Sequence, residues 1–324
     1  MNDTLAQPLP APALDVDLPL PDRRAGKVRV SYAMPGDPSR RVFVTTDRLS
    51  AFDRIITGIP YKGQVLNELA AWWFTTTRDI VANHFIASPD PNVTIARSVT
   101  PLPVEVIVRH AITGVTTTSV WQRYADGART IDGYDFPDGL SKNTELPRPI
   151  ITPTTKAADG GHDEPLSCAD VVARGLLEPE LWERVQAAAL AVFDRGRSIA
   201  AEAGLILADT KYEFGLDVAT GDLLLIDEVH TPDSSRFWMA ESYAARLAAG
   251  DEPESLDKEF VRRAFADLGY TGHGAPPTLA PEVWSATAGR YVLAYERITG
   301  EAFAPAPYPV PPRLTDNLTK AGLL

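Results

Sequence analysis

Residues 205–238, LILADTKYEFGLDVATGDLLLIDEVHTPDSSRFW, constrain the fold more than any other stretch. Two apolar runs flank Ala219-Thr220-Gly221-Asp222, a turn signal, and together they predict a β-hairpin. Side chains alternate faces along a strand. Asp209, Lys211 and Glu213 therefore share one face, while Tyr212, Phe214 and Leu216 share the other. Pairing Asp217 with Leu223 across the loop places Glu213 opposite Asp227. Directly opposed carboxylates repel, at a cost of roughly 0.2–1 kcal/mol. A divalent cation between them resolves the conflict, and Mg²⁺ is usually held by one or two carboxylates plus substrate phosphates. Lys211, on the same face, suits a phosphate. Thr231-Pro232-Asp233-Ser234-Ser235-Arg236 then forms a hydroxyl-rich turn ending in an arginine fork suited to an anionic oxygen group. A solvated surface hairpin is the bland alternative, but these charges stand among apolar strand neighbours. The segment predicts a metal–nucleotide site.

The chain around it has 324 residues, enough for a large core in two or three lobes. Its formal net charge of −12 argues against nucleic acid or an anionic membrane as partner. A single cysteine, Cys168, excludes an internal disulfide and a cysteine-rich zinc site. No apolar run approaches the ~18–20 residues of a membrane span. Residues 1–22 carry five prolines and no early basic cluster, which predicts a disordered arm rather than a signal peptide. The expected compartment is the cytoplasm.

Periodicity organises the remainder. Lys27 to Tyr32 and Arg41 to Thr46 read as strands around the Pro35-Gly36-Asp37 turn. Gln64 to Val81 reads as an amphipathic helix, and Val104 to Val108 as a buried strand ending at Arg109. Residues 126–165, rich in Gly, Pro, Asp and Thr, read as a long functional loop. Helices are expected over Glu180–Ala203 (stopped by Gly204), from an N-cap at Ser255 to Leu268, and over Pro281–Thr299. A proline-rich tail closes the chain. The order suggests an α+β fold, with an arm (1–22), an N-terminal lobe (23–100), a central lobe (101–245) and C-terminal helices with the tail (246–324).

Other charged groups are weaker signals. Gly26-Lys27-Val28-Arg29 puts two basic side chains on one strand face after a glycine that permits close approach, a geometry able to cover nucleotide phosphates. Neither a P-loop nor a GxGxxG fingerprint is present. Arg109, at the end of an apolar strand, needs an anionic partner from the protein or a ligand. Thr152-Pro153-Thr154-Thr155-Lys156 and Gly161-His162-Asp163-Glu164 offer hydroxyls, a lysine and acids in the long loop. The histidines at 84, 110, 162, 230 and 273 show no metal-ligand spacing, and no Ser-His-Asp or Cys-His arrangement is defensible.

At these residues the chain resembles the phosphoribosylaminoimidazole-succinocarboxamide synthase (SAICAR synthetase) family. The likeness covers roughly residues 20–300. It rests on Leu207-Ala208-Asp209-Thr210-Lys211-Tyr212-Glu213-Phe214-Gly215, on Asp227-Glu228-Val229 with Thr231 to Trp238, and on three further blocks: Thr46 to Asp53, Ile59 to Gly63, and Thr152 to Ala157. In three places the chain departs from the family pattern. Val115-Thr116-Thr117-Thr118 stands between Gly114 and Ser119, so any of these hydroxyls could take the family serine's place. Ala25 and Val30 flank the glycine-lysine segment, and Tyr61 replaces an acid.

The resemblance implies an α+β fold with an antiparallel N-terminal lobe over the nucleotide, ATP-grasp- or kinase-like. It also implies an ATP- and Mg²⁺-dependent ligase joining L-aspartate to the carboxylate of 5-amino-1-(5-phosphoribosyl)imidazole-4-carboxylate (CAIR). Lys211, Glu213 and Asp227 would be catalytic, with Glu213 and Asp227 on the metal. ATP would meet Gly26, Lys27, Arg29, Lys211, Glu213 and Asp227. The other substrates would meet Arg109, Ser119, Asp163, Asp233, Ser235 and Arg236. An ATP-dependent small-molecule kinase and an inactive nucleotide-binding module are the alternatives.

Overall fold

A computed structural model describes residues 5, 8–52, 54–156, 163–270 and 274–324. Asp53, Ala157, Gly161, His162 and His273 of the motifs above lie outside the described residues.

The chain opens with β1 (Arg24–Ala25), β2 (Arg29–Met34) and β3 (Asp37–Thr45), and continues through the hairpin β4 (Arg48–Ala51) and β5 (Arg54–Gly58). Helix α1 (Lys62–Thr76) follows, then β6 (Phe85–Asp90) and β7 (Val93–Arg97). These build an antiparallel sheet of order β1-β2-β3-β7-β6, beside which β4 and β5 pair separately. The central part runs β8 (Val99–Ala111), α2 (Val120–Ala125), β9 (Thr130–Ile131), β10 (Tyr134–Asp135), β11 (Glu145–Thr155), α3 (Cys168–Ala173), α4 (Pro179–Glu202), β12 (Leu205–Asp217), β13 (Leu223–Ile226) and β14 (Ser235–Met239). Its sheet has the order β11-β8-β12-β13, with β14 also on β12. Helices α5 (Ala240–Ala249), α6 (Glu259–Ala266), α7 (Pro281–Thr299) and α8 (Val310–Lys320) complete the α+β fold. No described helix is long and apolar enough to cross a membrane.

Strand alternation separates the two faces of the central sheet. Val104, Val106 and Val108 of β8 and Tyr212 and Phe214 of β12 enter the main core, where Trp182, Val185, Ala189, Val192 and Phe193 of α4 cover them. The odd positions of β8 and β12 point the other way, and they carry the charges. Gly196 of α4 comes so close to His230 that a Cβ would stand 2.2 Å from a ring carbon.

Several sequence expectations need correction. The β12–β13 register pairs Leu216 with Leu223 and Glu213 with Ile226, one residue away from the expected pairing with Asp227. Asp217 Oδ1 accepts from Ala219 N at 2.7 Å and Thr220 N at 3.2 Å, so the turn begins at Asp217 and the ladder closes one pair earlier. Asp227 lies just past β13 at φ 69°, in the left-handed region. Lys27 sits in the β1–β2 turn, and the strand starts only at Arg29. The segment read as a long loop contains β11 with Pro147, Pro149 and Pro153. Because β11 is the sheet's edge, a missing N–H is tolerated there. Helix α6 starts at Glu259, and Ser255 is bridged to Trp238 instead of capping it.

Among the described residues, neither proline-rich end is a loose appendage. In the arm, Ala13, Val16, Leu18 and Leu20 pack with Val30, Tyr32, Val42 and Val44 of β2 and β3. In the tail, Val310, Leu314 and Leu318 of α8 join the same cluster, at four-residue spacing on one helix face. Pro311 and Pro312 fall in the first turn of α8, where an amide donor is not needed. Asp47 ties these parts together, accepting from Ala13 N at 2.7 Å, Gly63 N at 3.0 Å and the Tyr308 hydroxyl at 2.8 Å.

Candidate active site

The outward face of the central sheet is a band of charge in register. Glu213 of β12 pairs directly with Glu105 of β8, and Asp209 with Arg109. Lys211 lies between them along β12. Its Nζ is 3.0 Å from Glu105 Oε1 and also bonds Glu213. Lys156, just beyond β11, meets the other oxygen of Glu213. Burial alone would raise the Glu213 carboxyl, but Lys211 and Lys156 overcome it and hold the group ionised. Burial opposes the charge on Lys211 too, yet Glu213, Glu105 and Asp227 keep its pKa above the ordinary value. Glu105 is pushed up, by burial first and with the negative charges of Glu213 and Asp163 adding to it. Asp163, exposed on the following loop, thus lies within reach of this group.

Beside the band, Arg29 reaches from β2 to Asp227, with Nη1 2.8 Å from Oδ1 and 2.7 Å from the backbone carbonyl. Its Nη2 lies 3.5 Å from Glu228 Oε1. Burial raises Glu228 and Arg29 counters it. Left-handed backbone is tolerated by Asp better than by most residues, and it turns Asp227 out of the strand ladder toward Arg29. Sheet register therefore does not create the Glu213–Asp227 association, although both carboxylates act on Lys211.

At the other end, Arg109 and Arg236 share one carboxylate. Arg109 Nη1 and Arg236 Nη1 lie 2.8 and 2.5 Å from the same Asp209 Oδ2. Arg109 Nε donates to Thr152 Oγ1 at 2.8 Å. Arg236 Nη2 lies 3.6 Å from Glu259 Oε2, which also faces Arg262 Nη1 at 3.1 Å. Burial pushes Arg109 below the ordinary guanidinium value, Asp209 opposes this, and neighbouring Arg236 adds to it. An internal salt bridge therefore exists, as one reading of Arg109 required, but two forks on one carboxylate leave positive charge for another anion.

Three residues expected to meet the substrates bond within the protein. The Asp233 side chain is buried, with Oδ2 2.8 Å from Lys62 Nζ and Oδ1 accepting from the Tyr291 hydroxyl at 2.6 Å. Ser235 is buried with its hydroxyl 2.7 Å from Thr210 Oγ1. Ser119 caps α2, its hydroxyl donating to Thr116 O and accepting from Gln122 N. Lys27 is exposed in its turn beside Gly26, whose amide donates to Arg29 O at 2.8 Å.

Sequence reasoning missed Glu105, Lys258, Glu259 and Arg262. The signal for Glu105 was its outward parity between Val104 and Val106. The other three lie on and just before α6, and nothing local in the sequence points Glu259 and Arg262 at Arg236, or Lys258 at Asp233. Lys258 is pulled down to about 8 by burial, with Arg262 and Lys62 adding to it against Asp233.

Among the described residues no three His, Cys, Asp or Glu side chains form a ready-made metal cluster. Glu213 in the band and Asp227 and Glu228 beside it are not gathered into one such group. Their donors are all carboxylate oxygens, the chemistry a hard cation uses when phosphate and water supply its remaining ligands.

An α+β fold whose central sheet presents acids, lysines and arginines in register along one face defines a protein suited to anionic, phosphate-bearing ligands. A family model described as SAICAR synthetase matches residues 22–277, and the chain belongs to the SAICAR synthetase family. It is 47% identical over 312 residues to the phosphoribosylaminoimidazole-succinocarboxamide synthase of Legionella pneumophila (strain Lens), covering 94% of this chain and 96% of that one. A SAICAR synthase from Saccharomyces cerevisiae, solved in complex with SAICAR, superposes with a TM-score of 0.76 at 32% identity, over 90% of this chain and 99% of that chain. A SAICAR synthetase solved in complex with ADP matches with a TM-score of 0.65 at 26% identity, over 87% of this chain and all (100%) of that chain.

Proposed function

We propose that this protein is an ATP-dependent ligase of purine biosynthesis, joining L-aspartate to the carboxylate of CAIR and releasing ADP and phosphate. One observation carries the reading: a lysine–carboxylate group and a two-arginine anion site lie on adjacent positions of one sheet face. A carboxylate is a poor electrophile, so the chemistry needs activation. A CAIR carboxylate oxygen attacks the γ-phosphorus of ATP, ADP leaves, and an acyl phosphate results. The amine of aspartate then attacks the acyl carbon, loses a proton, and expels phosphate. Such transfers need positioned phosphates and neutralised charge rather than a protein nucleophile, in keeping with a band of acids, lysines and arginines.

The residues divide between the ligands. Glu213 and Asp227, with Glu228 beside them, would hold Mg²⁺, which when bound neutralises phosphate charge. Lys211 meets transferring phosphate oxygens. Arg29, with Lys27 and Gly26 in the turn above, covers the nucleotide from the β1-β2-β3-β7-β6 sheet, the counterpart of the N-terminal lobe in ATP-grasp and kinase-like folds. Arg109 and Arg236 take the ribonucleotide's anionic groups, with the hydroxyls of 116–119 at the loop after β8. Asp163, whose charge reaches Glu105, would serve the substrates from the same side. Asp233 and Ser235 act from the interior by positioning Lys62 and β14.

ADP release measured with CAIR, with and without L-aspartate, tests the reading. Turnover that needs aspartate supports ligation. ADP release that is indifferent to aspartate would identify a kinase instead.

A further inference from the structure

His84 is almost wholly buried. Its ring packs against Phe43 and Phe74, with centroids 6.0 and 4.9 Å away. Its backbone is pinned as well, the amide donating to Leu225 O at 3.2 Å and the carbonyl accepting from Arg97 N at 2.8 Å. Yet Nε2 is shielded from solvent and has no hydrogen-bond partner among the described residues. Buried polar atoms are nearly always satisfied, by protein or by ordered water. The ring borders a cavity of about 20 Å³ that Arg29, Thr45, Asn67, Asp227 and Glu228 also wall. A water needs roughly 10–15 Å³ and two to four polar partners. This space meets both needs. Burial also holds the imidazole neutral, pushing it down to about 3, so it carries no charge that a neighbouring cation would repel.

We propose that this cavity binds a single ordered water, held by His84 Nε2 and hydrogen-bonded to the Asp227–Glu228 carboxylates. His84 is thereby a positioning residue that orients those carboxylates toward Mg²⁺-nucleotide from behind. The positioning role rests on the nucleotide-metal reading of Asp227, whereas the water does not. Groups one step removed from a metal typically change its affinity by about 10–100-fold.

Two measurements on the full chain decide it. A crystal structure fine enough to show solvent is expected to place a water within hydrogen-bond distance of His84 Nε2 and of a carboxylate oxygen of Asp227 or Glu228. A dry cavity, or a water reaching neither carboxylate, overturns the proposal. Calorimetric ADP affinity with and without Mg²⁺ reads the positioning role without turnover. His84→Leu should lose about tenfold of the Mg²⁺-dependent gain, while His84→Gln, whose amide reaches the Nε2 position, should keep most of it. Equal behaviour of the two variants would reduce His84 to packing and overturn the role, and either variant alone is read against the parent if the other does not fold. Asp227→Asn belongs beside them. If it keeps the full Mg²⁺ gain, the metal reading of Asp227 fails and takes the positioning role with it, while the crystal structure still decides the water.

Discussion

Asp227 shows how much one residue's backbone can matter. At φ 69° it leaves the strand ladder and meets Arg29. Asn tolerates the same backbone, so Asp227→Asn removes charge with little strain. With Glu213→Gln it should lower turnover by about 100-fold or more, since positioned charge supplies most of the catalysis in phosphoryl transfer. Steady-state rates at low Mg²⁺ check this, and near-parental activity in either variant would remove that residue from the metal site. Arg109 and Arg236 make a second test. Each holds Asp209 with one nitrogen, and a lysine could keep that pair but not a second, bidentate contact. Arg109→Lys and Arg236→Lys should therefore raise the KM for the ribonucleotide about tenfold, with the KM for ATP little changed. An unmoved ribonucleotide KM would leave the arginines as internal braces. Lys211 and Glu213 were legible from strand parity, Arg109 from its place at the end of an apolar strand and Arg236 from the end of the hydroxyl-rich turn. Arg262 and Lys258 were not, because Arg262 shares Glu259 with Arg236 and Lys258 faces Asp233 only once the segment leading into α6 lies along β14.

Helix α4 and the segment after β13 meet at a point where no side chain is allowed. Replacing Gly by Ala in a helix interior ordinarily stabilises by roughly 0.5–1 kcal/mol. At Gly196 the added methyl would stand 2.2 Å from His230 Cε1. That ring cannot retreat easily, because Nε2 bonds the Tyr212 hydroxyl and the ring makes a T-shaped contact with Trp73, centroids 4.5 Å apart. Gly196→Ala should therefore destabilise, by about 1–3 kcal/mol as overpacked cores do, and urea unfolding gives the sign directly. A stabilised variant would mean that α4 slides along the sheet. Elements were readable from sequence in proportion to their periodicity. α4 and α7 fall within about a residue of expectation, while β11 was hidden by prolines that only an edge strand accepts. The hairpin's existence was legible, but its register was not. A one-residue slip depended on Asp217 closing the turn with its own carboxylate.

For the whole molecule, buried ionisable groups set opposing pH slopes. His84 and His230 are pushed from 6.5 to about 3 by burial. The unfolded chain therefore binds their protons first, and their contribution, full above pH 6.5, is lost as pH falls toward 3. Glu68 and Asp257 are raised to about 7 by burial. Their contribution is full below the unfolded values of 4.5 and 3.8 and is lost as pH rises through 7. Between pH 4.5 and 6.5 the two pairs offset each other, one proton against one proton. Glu68→Gln removes one opposing group, so its stability should fall more steeply on acidification than the parent's, by at most ~1.4 kcal/mol per pH unit. Urea midpoints at pH 5 and pH 7 for the two proteins check the sign, and parallel curves would mean that Glu68 titrates normally.

What the sequence determined by itself is what repeats locally. Parity along β12 placed Asp209, Lys211 and Glu213 on one face and Tyr212, Phe214 and Leu216 on the other, because successive strand residues must point opposite ways. Caps and prolines fixed the long helices. Tertiary structure alone decided which charges meet across elements: Lys156 with Glu213, Arg29 with Asp227, Lys62 with Asp233, Arg262 with Glu259 beside Arg236. It also decided that both proline-rich ends belong to the body, since Val16, Leu18, Leu314 and Leu318 have no local partner and are buried only where β2, β3 and α8 bring their apolar faces together. Local pattern fixes where a side chain points, and only the packed fold fixes what it points at.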